Sequence, residues 1–418
     1  MAQHASLLIE SCSELLTIRG ASLKPKTGKA LGGLGLIKDG AVAVSGEKII
    51  WVGDTSDVRK HVRITKETET IDGRDMVIMP GFVDPHTHPV FAGSREDEWL
   101  ERLAGRDYLD ILNGGGGILS TVRETRKAKK QELVRSAARH LSGMFANGTT
   151  TIEAKSGYGL TIKDEVKLLE CMVALESIQP IEIVRTFLGA HAVPKEFSSS
   201  KSYARFVADA MIPDIAHSGL AEFCDVFCEE GAFSAHEAQL ILESGIAHGM
   251  KPKMHTNQFN DIGGVKAADI VRPRSLDHLD VLSKTNMAQL KRIGSIAVLL
   301  PGGAFFIGRE SYPDVKSLIS AGVPVALGTD FNPGTCFCYS MPFIMSLACI
   351  KLGMNAEQAI NCATINAAHA IDRGNTIGSI EAGKQADIIA FGVDTYESIP
   401  YSGATNQIEV RIKKGRIV

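Results

Sequence analysis

Nowhere in these 418 residues does an apolar run reach the eighteen or so uninterrupted positions that a membrane-spanning helix needs. No basic N-terminal stretch precedes an apolar segment, so the expected compartment is the cytoplasm, with no membrane as partner. Excess charge is missing too: 45 Lys and Arg against 48 Asp and Glu leave a formal −3, with no basic field to hold a nucleic acid. Eight cysteines are few for such a length, and they are scattered through apolar segments. Cys336 and Cys338 have one residue between them and Cys224 and Cys228 stand four apart, so neither pair has zinc-knuckle or redox Cys-x-x-Cys spacing. They read as reduced thiols packed as small hydrophobes. Nucleotide loops are also lacking. No Gly-x-Gly-x-x-Gly follows the first apolar strand, and the Gly114–Gly117 run lies well beyond it, with no Gly-x4-Gly-Lys-Ser/Thr alongside.

What remains is an ordinary globular composition, 44% hydrophobic and 22% charged, in a chain longer than one core usually organises. Short strand-like segments lie near both ends: Ala41–Val44, Lys48–Gly53 and Thr68–Ile71, then Ala386–Phe391 and Ile408–Ile412. We expect residues 1–75 and 381–418 to pair into one small β-domain, because chain termini often lie close together. Between them, residues 76–380 alternate apolar strand runs with amphipathic segments such as Gln131–Ala146, Lys163–Ser177, Ser234–Gly245 and Ser283–Ile293. The strand runs number eight: Val77–Val83, Thr149–Ala154, Ile181–Ala190, Glu222–Cys228, Pro252–His255, Ser275–His278, Ile296–Leu300 and Val323–Leu327. Eight βα units predict an α/β fold, a (β/α)8 barrel with reactive groups at the C-terminal strand ends. An open doubly wound sheet is the rival.

Five of those ends carry a signal. The first run leads into His86-Thr87-His88; on a strand, residues i and i+2 face the same way, so two imidazoles converge as a chelating pair. His191 follows the third run, His255 and Gln258 the fifth, His278 the sixth and Asp330 the eighth. One such histidine would be unremarkable. Five with an aspartate on the strand ends of one barrel are hard to explain as surface or core residues. The remaining seven histidines fall on helices, loops or termini and receive no role.

With these residues the chain resembles the metal-dependent amidohydrolase superfamily over nearly its whole length. Within it, three strings are similar to the imidazolonepropionase family: Asp84–Arg95, Glu153–Leu160 and Gly328–Thr335. The resemblance implies one Zn(II) or Fe ion held by His86, His88, His255 and Asp330. Binuclear members of the superfamily place a bridging lysine at the end of strand four, whereas this chain has Phe227-Cys228-Glu229-Glu230 there, and Lys155 closes strand two. It further implies that His278 and Asp330 are catalytic, with the small molecule 4-imidazolone-5-propanoate as substrate. Arg95 would take the propionate as a bidentate fork, and Tyr158, His191, Gln258, Asn332, Gly334 and Thr335 would line the substrate site. Related deaminases have His-x-x-Glu after strand five. Gln258 replaces that glutamate, and an amide cannot shuttle protons, which argues against deamination. Another amidohydrolase acting on a different heterocycle and a non-catalytic barrel are the competing readings. A homodimer is compatible with the sequence.

Overall fold

The computed structural model describes residues 3–106 and 116–418, so Gly114 and Gly115 of the glycine run lie outside the described residues. Eight parallel strands form the central sheet: β1 (Phe82–Thr87), β2 (Thr149–Lys155), β3 (Glu182–Ala190), β4 (Phe223–Cys228), β5 (Met254–Thr256), β6 (Ser275–His278), β7 (Ile296–Leu299) and β8 (Val325–Leu327). They neighbour one another in sequence order, with helices between, as right-handed βα repeats do. The ring comes together at the rim formed by the C-terminal strand ends. There Asp330 N–H donates to the His86 carbonyl (3.1 Å) and His88 N–H to the Phe331 carbonyl (2.8 Å). Thus the contact nearest to closing the barrel is made by the segments that carry three candidate ligands.

Two other sheets flank this ring. A six-stranded sheet includes Glu14–Leu16, Val77–Pro80, Ile388–Phe391 and Ile408–Lys413; a four-stranded sheet includes Leu7–Cys12, Gly40–Ser45, Lys48–Asp54 and Glu69–Asp72. Leu7, Ile9, Val42, Val44 and Ile49 from one sheet meet Leu15, Ile78, Ile388 and Ile412 from the other in a single apolar seam, a sandwich core about two side chains thick. The run Val77–Val83, expected as one barrel strand, is two. Val77–Pro80 pairs antiparallel with Ile388–Phe391, and only Phe82 onward joins the barrel. Gly81 makes the break, and a Cβ there would stand 2.3 Å from the Thr150 methyl. The apolar pattern runs through the break because both sheets bury their faces. Likewise Pro252–His255 divides into Lys251–Pro252 and β5, with Lys253 between.

Two of the helices that cover the barrel begin on capping boxes. Ser234 and Glu237 form a capping box on Ala235–Ala247, and Ser283 with Asn286 does the same for Lys284–Ile293. Among the described residues no helix is long and apolar enough to cross a membrane.

Candidate metal centre and active site

Alternation along each strand aims residues i and i+2 at the barrel axis. His86 at the end of β1, His88 just past it and His255 on β5 are all buried, and their ligand nitrogens lie within 4.8 Å of one another. The His86 and His255 rings are 4.3 Å apart. Asp330 Oδ1 stands 3.6 Å from His86 Nε2 and 4.0 Å from His88 Nε2. His278 completes the group, its ring 5.4 Å from that of His255 and 5.5 Å from that of His86. Two of these side chains are delivered by left-handed backbone, φ 78° at His278 and 54° at Asp330. Such conformations cost on the order of 1–3 kcal/mol in non-glycine residues and collect at functional sites.

Burial, reinforced by Lys155 and the neighbouring imidazoles, holds His86 well below the usual histidine range; burial and His191 do so for His88. His278 is lowered by burial and by His255, and burial takes His191 down to about 3. His86, His88, His191 and His278 are therefore neutral near pH 7, with lone pairs available. Burial pushes the Asp330 carboxyl well above its usual range, against the opposing hydrogen bond from Asn332. His255 Nε2 and His88 Nδ1 are buried without a hydrogen-bond partner in the protein, and the Nε2 atoms of His86 and His88 face each other at 3.4 Å. Uncompensated buried acceptors are costly. The ligand atoms of His86, His88 and His255 form one group within reach of a single ion and those of His86, His278 and Asp330 another, and imidazoles with a carboxylate are donors that a divalent transition metal takes, so the residues present fit the ion that the family implies.

Beneath the imidazoles lies a layer that the sequence reading did not single out. His86 Nδ1 meets Asp277 Oδ2 at 2.7 Å, and His255 Nδ1 stands 2.9 Å from Asp225 Oδ2, without the alignment of a hydrogen bond. Glu153, Lys155 and Lys253 complete a fully buried charged cluster. Burial alone would raise Asp225, but His255 and Lys155 hold it well below the carboxylate range. Burial raises Asp277 despite Lys253 and Lys155. Lys155 rises above the usual lysine range because Asp225, Glu153 and Asp277 outweigh its burial. The available signal was a charge at alternate positions inside apolar strand runs: Glu153 and Lys155 on β2, Asp225 on β4, Asp277 on β6.

The residues expected around the substrate separate into two kinds. His191 stacks on His88 with ring centres 5.0 Å apart and ring planes 14° from parallel, and its Nδ1 meets the Gly157 carbonyl at 3.2 Å. Tyr158 is buried 5.9 Å from the His88 ring and 5.5 Å from that of His191. Its loop is held by the buried Glu165 carboxylate, which accepts from the N–H groups of Gly157, Gly159 and Leu160 at 2.8–3.0 Å. Gln258 is buried beside His255, and its backbone carbonyl accepts from the Arg309 guanidinium. Arg95 is not a surface arginine: its side chain is 7% exposed, pairs with Glu98 at 2.8 Å and lies flat against Gly334. A Cβ on Gly334 would stand 1.9 Å from Arg95 Nη1, so only glycine admits the guanidinium there. Asn332 serves the loop itself. Its amide donates to the Asp330 carbonyl (2.7 Å) and Thr335 Oγ1 (2.8 Å) and accepts from the Gly334 and Thr335 N–H groups. Thr335 Oγ1 in turn stands 3.5 Å from Asp330 Oδ2.

Barrel and site together define a class, and residues 77–418 match the model of the amidohydrolase family, to which the chain belongs. Within it the chain is a member of the imidazolonepropionases. It is 45% identical to the imidazolonepropionase of Shouchella clausii over 99% of this chain and 92% of that one. It is 44% identical to that of Geobacillus kaustophilus over 99% and 97%. Among solved structures, a zinc-bound adenosine deaminase from Xanthomonas campestris superposes with a TM-score of 0.74 at 18% identity, covering 100% of this chain and 93% of that one. An atrazine chlorohydrolase from Arthrobacter aurescens gives 0.67 at 16%, covering 98% and 94%. At such identities the likeness shows the shared fold alone.

Proposed function

We propose that this chain opens the ring of 4-imidazolone-5-propanoate by hydrolysis of its lactam C–N bond, releasing N-formimidoyl-L-glutamate, the third step of histidine degradation. What supports this reading is a buried cluster at the strand ends, in which His86, His88 and His255 form one candidate metal group and His86, His278 and Asp330 another, in a chain that matches imidazolonepropionases over nearly its whole length. His86, His88, His255 and Asp330 would hold one Zn(II) or Fe ion, which would supply Lewis acidity and lower the pKa of water near neutral pH.

The protein's own groups do the rest. Arg95, braced by Glu98 and Gly334, receives the propionate, and Tyr158 with His191 forms the wall that orients the ring. Asp330, which faces the His86 and His88 Nε2 atoms, accepts the proton of the attacking water and delivers it to the departing ring nitrogen. His278 donates to the oxygen that gains charge as the carbonyl becomes tetrahedral. Gln258 hydrogen-bonds to the ring without exchanging protons.

The test is a purified-enzyme assay with freshly generated substrate, following its ultraviolet loss and identifying the product by mass spectrometry. N-formimidoyl-glutamate formed only by the metal-loaded protein, lost on stripping and restored on add-back, is the expected outcome. Ammonia release from another heterocycle instead would make the protein an aminohydrolase on the same scaffold.

A further inference from the structure

Lys155 is fully buried at the end of β2, and the proposed reaction gives it no part. Its ammonium has three hydrogens and three carboxylates around it: Asp225 Oδ2 at 2.7 Å, Glu153 Oε1 at 2.9 Å and Asp277 Oδ2 at 3.4 Å. Two of those oxygens have a second duty. The same Asp277 Oδ2 lies 2.7 Å from His86 Nδ1, and the same Asp225 Oδ2 lies 2.9 Å from His255 Nδ1. The remaining oxygens are tied down separately, Asp277 Oδ1 by the Ser275 hydroxyl (2.6 Å) and Asp225 Oδ1 by the Val226 N–H (2.7 Å). Lys253, the second ammonium of this cluster, holds Glu153 Oε2 (2.5 Å) and the Pro85 carbonyl (3.1 Å) and stands 3.9 Å from Asp277. Among the described residues Lys155 alone makes close contact with both of the carboxylates that face imidazoles.

We propose that Lys155 is the positioning residue of the metal centre, an internal cation shared by Asp225 and Asp277 that keeps both carboxylates against the Nδ1 atoms of His255 and His86. This rests on the four-ligand reading above and deepens it. His86, whose Nδ1 hydrogen-bonds to Asp277, thereby presents its Nε2 lone pair on the other side, the form a divalent ion takes, and the Asp225 carboxylate 2.9 Å from His255 Nδ1 favours the same tautomer there by its charge. Two carboxylates turned toward the same few ångströms repel unless a cation stands between them, and water has no access to screen them. Remove that cation and both acceptors swing away; the two tautomers are then no longer set. Three carboxylates against two ammonium groups also leave one net negative charge under the imidazoles, which favours a cation above.

The experiment titrates stripped protein with Co(II) in competition with a chelator, reading affinity and the visible ligand-field spectrum. Lys155→Met, of similar length and without charge, should keep its near-ultraviolet circular dichroism and bind Co(II) about 10- to 100-fold more weakly with an altered spectrum, the range known for outer-shell partners of metal ligands. Where Lys155→Met does not fold, Lys155→Gln gives the same reading. Asp277→Asn alone should weaken binding as well. Combined with the Lys155 change it should cost less than the two losses added, because both act through His86. Wild-type affinity and spectrum in a folded Lys155 variant, or additive losses, would overturn the proposal. A wild-type protein that takes up no divalent ion overturns the metal centre and this inference together. A metal-loaded protein that turns over some other heterocycle overturns only the proposed substrate.

Discussion

Between the terminal sheets, Leu7, Ile9, Val42, Ile78 and Ile388 meet in an apolar seam from which water is excluded. At the centre of the barrel, positions just as inaccessible hold Glu153, Lys155, Asp225, Lys253 and Asp277. The first interior earns stability directly, at about 1.5–3 kcal/mol for each large side chain taken out of water. The second gains little by that measure, because the desolvation of buried ions consumes most of their mutual attraction. A well-packed apolar core would serve the barrel's stability as well or better. The charges are intelligible as chemistry: they orient imidazoles, and perturbed ionisable groups gathered at one place mark a working site. The two lysine environments make the same contrast. Lys155 is ringed by carboxylates and stays charged, whereas Lys384, beside the sandwich, donates to the Gly374 and Ile377 carbonyls and is pulled down by burial to about 8.

The largest effect should come from the barrel. His255→Ala deletes a candidate ligand, so bound metal and activity should vanish together, by elemental analysis and turnover; stoichiometric metal in the variant would refute the ligand set. His278→Ala should keep the metal and lower kcat by about 10²–10³, the usual cost of one lost oxyanion donor. Wild-type turnover there would remove His278 from the chemistry. The sandwich should answer in the opposite currency. Ile388→Ala should lower unfolding free energy by about 2–5 kcal/mol in denaturant titrations, with kcat per folded molecule unchanged. A fall in kcat would mean that the two interiors are coupled.

Smaller effects sharpen the contrast. Arg95→Ala should reduce kcat/KM by about 10- to 100-fold, in line with one charged hydrogen bond, while metal content stays fixed. An unchanged kcat/KM would place the propionate elsewhere. The smallest prediction concerns pH. Below about pH 8, Lys384 is charged in both the folded and unfolded states, and the folded state bears the burial cost. Between about 8 and 10.5 the folded protein releases that proton first, so stability rises with pH across this window. Lys26, whose ammonium donates to the Gly33 carbonyl, is lowered to about 8 by the same cause and adds to the slope. Lys384→Met should flatten the rise partially, as read from urea midpoints at pH 7.5 and 10; an unaltered slope would show that the folded ammonium is not disfavoured.

Much of the barrel was legible because its strands are short apolar runs at βα spacing and its histidines stand at their ends. Less legible was Val77–Val83, where a continuous apolar pattern hid the change of partner at Gly81, since hydrophobicity reports that a face is buried and not what covers it. Arg95 was assigned to the propionate through the family resemblance alone, and its seat on Gly334 and Glu98 could not be read from Ser94-Arg95-Glu96-Asp97. Asn332 stood beside Asp330 in a string associated with substrate, yet its amide is engaged in the turn that carries Asp330. Loop hydrogen bonds of this kind leave no periodic trace.

Local order along the chain was enough to set the strand succession, the direction of alternate side chains and the residue types at each strand end, because these depend on backbone periods of two and 3.6. Which side chains face one another across the ring was decided by the coming together of β1 and the segment after β8, and by the stacking of eight strands in register. That assembly brought Lys155 between Asp225 and Asp277, 70 and 122 residues further along the chain. The strand shows Glu153 as a neighbour of Lys155 but carries no information about partners on other strands. Only the low-dielectric interior, in which every ion must be matched by the groups around it, makes those partners necessary.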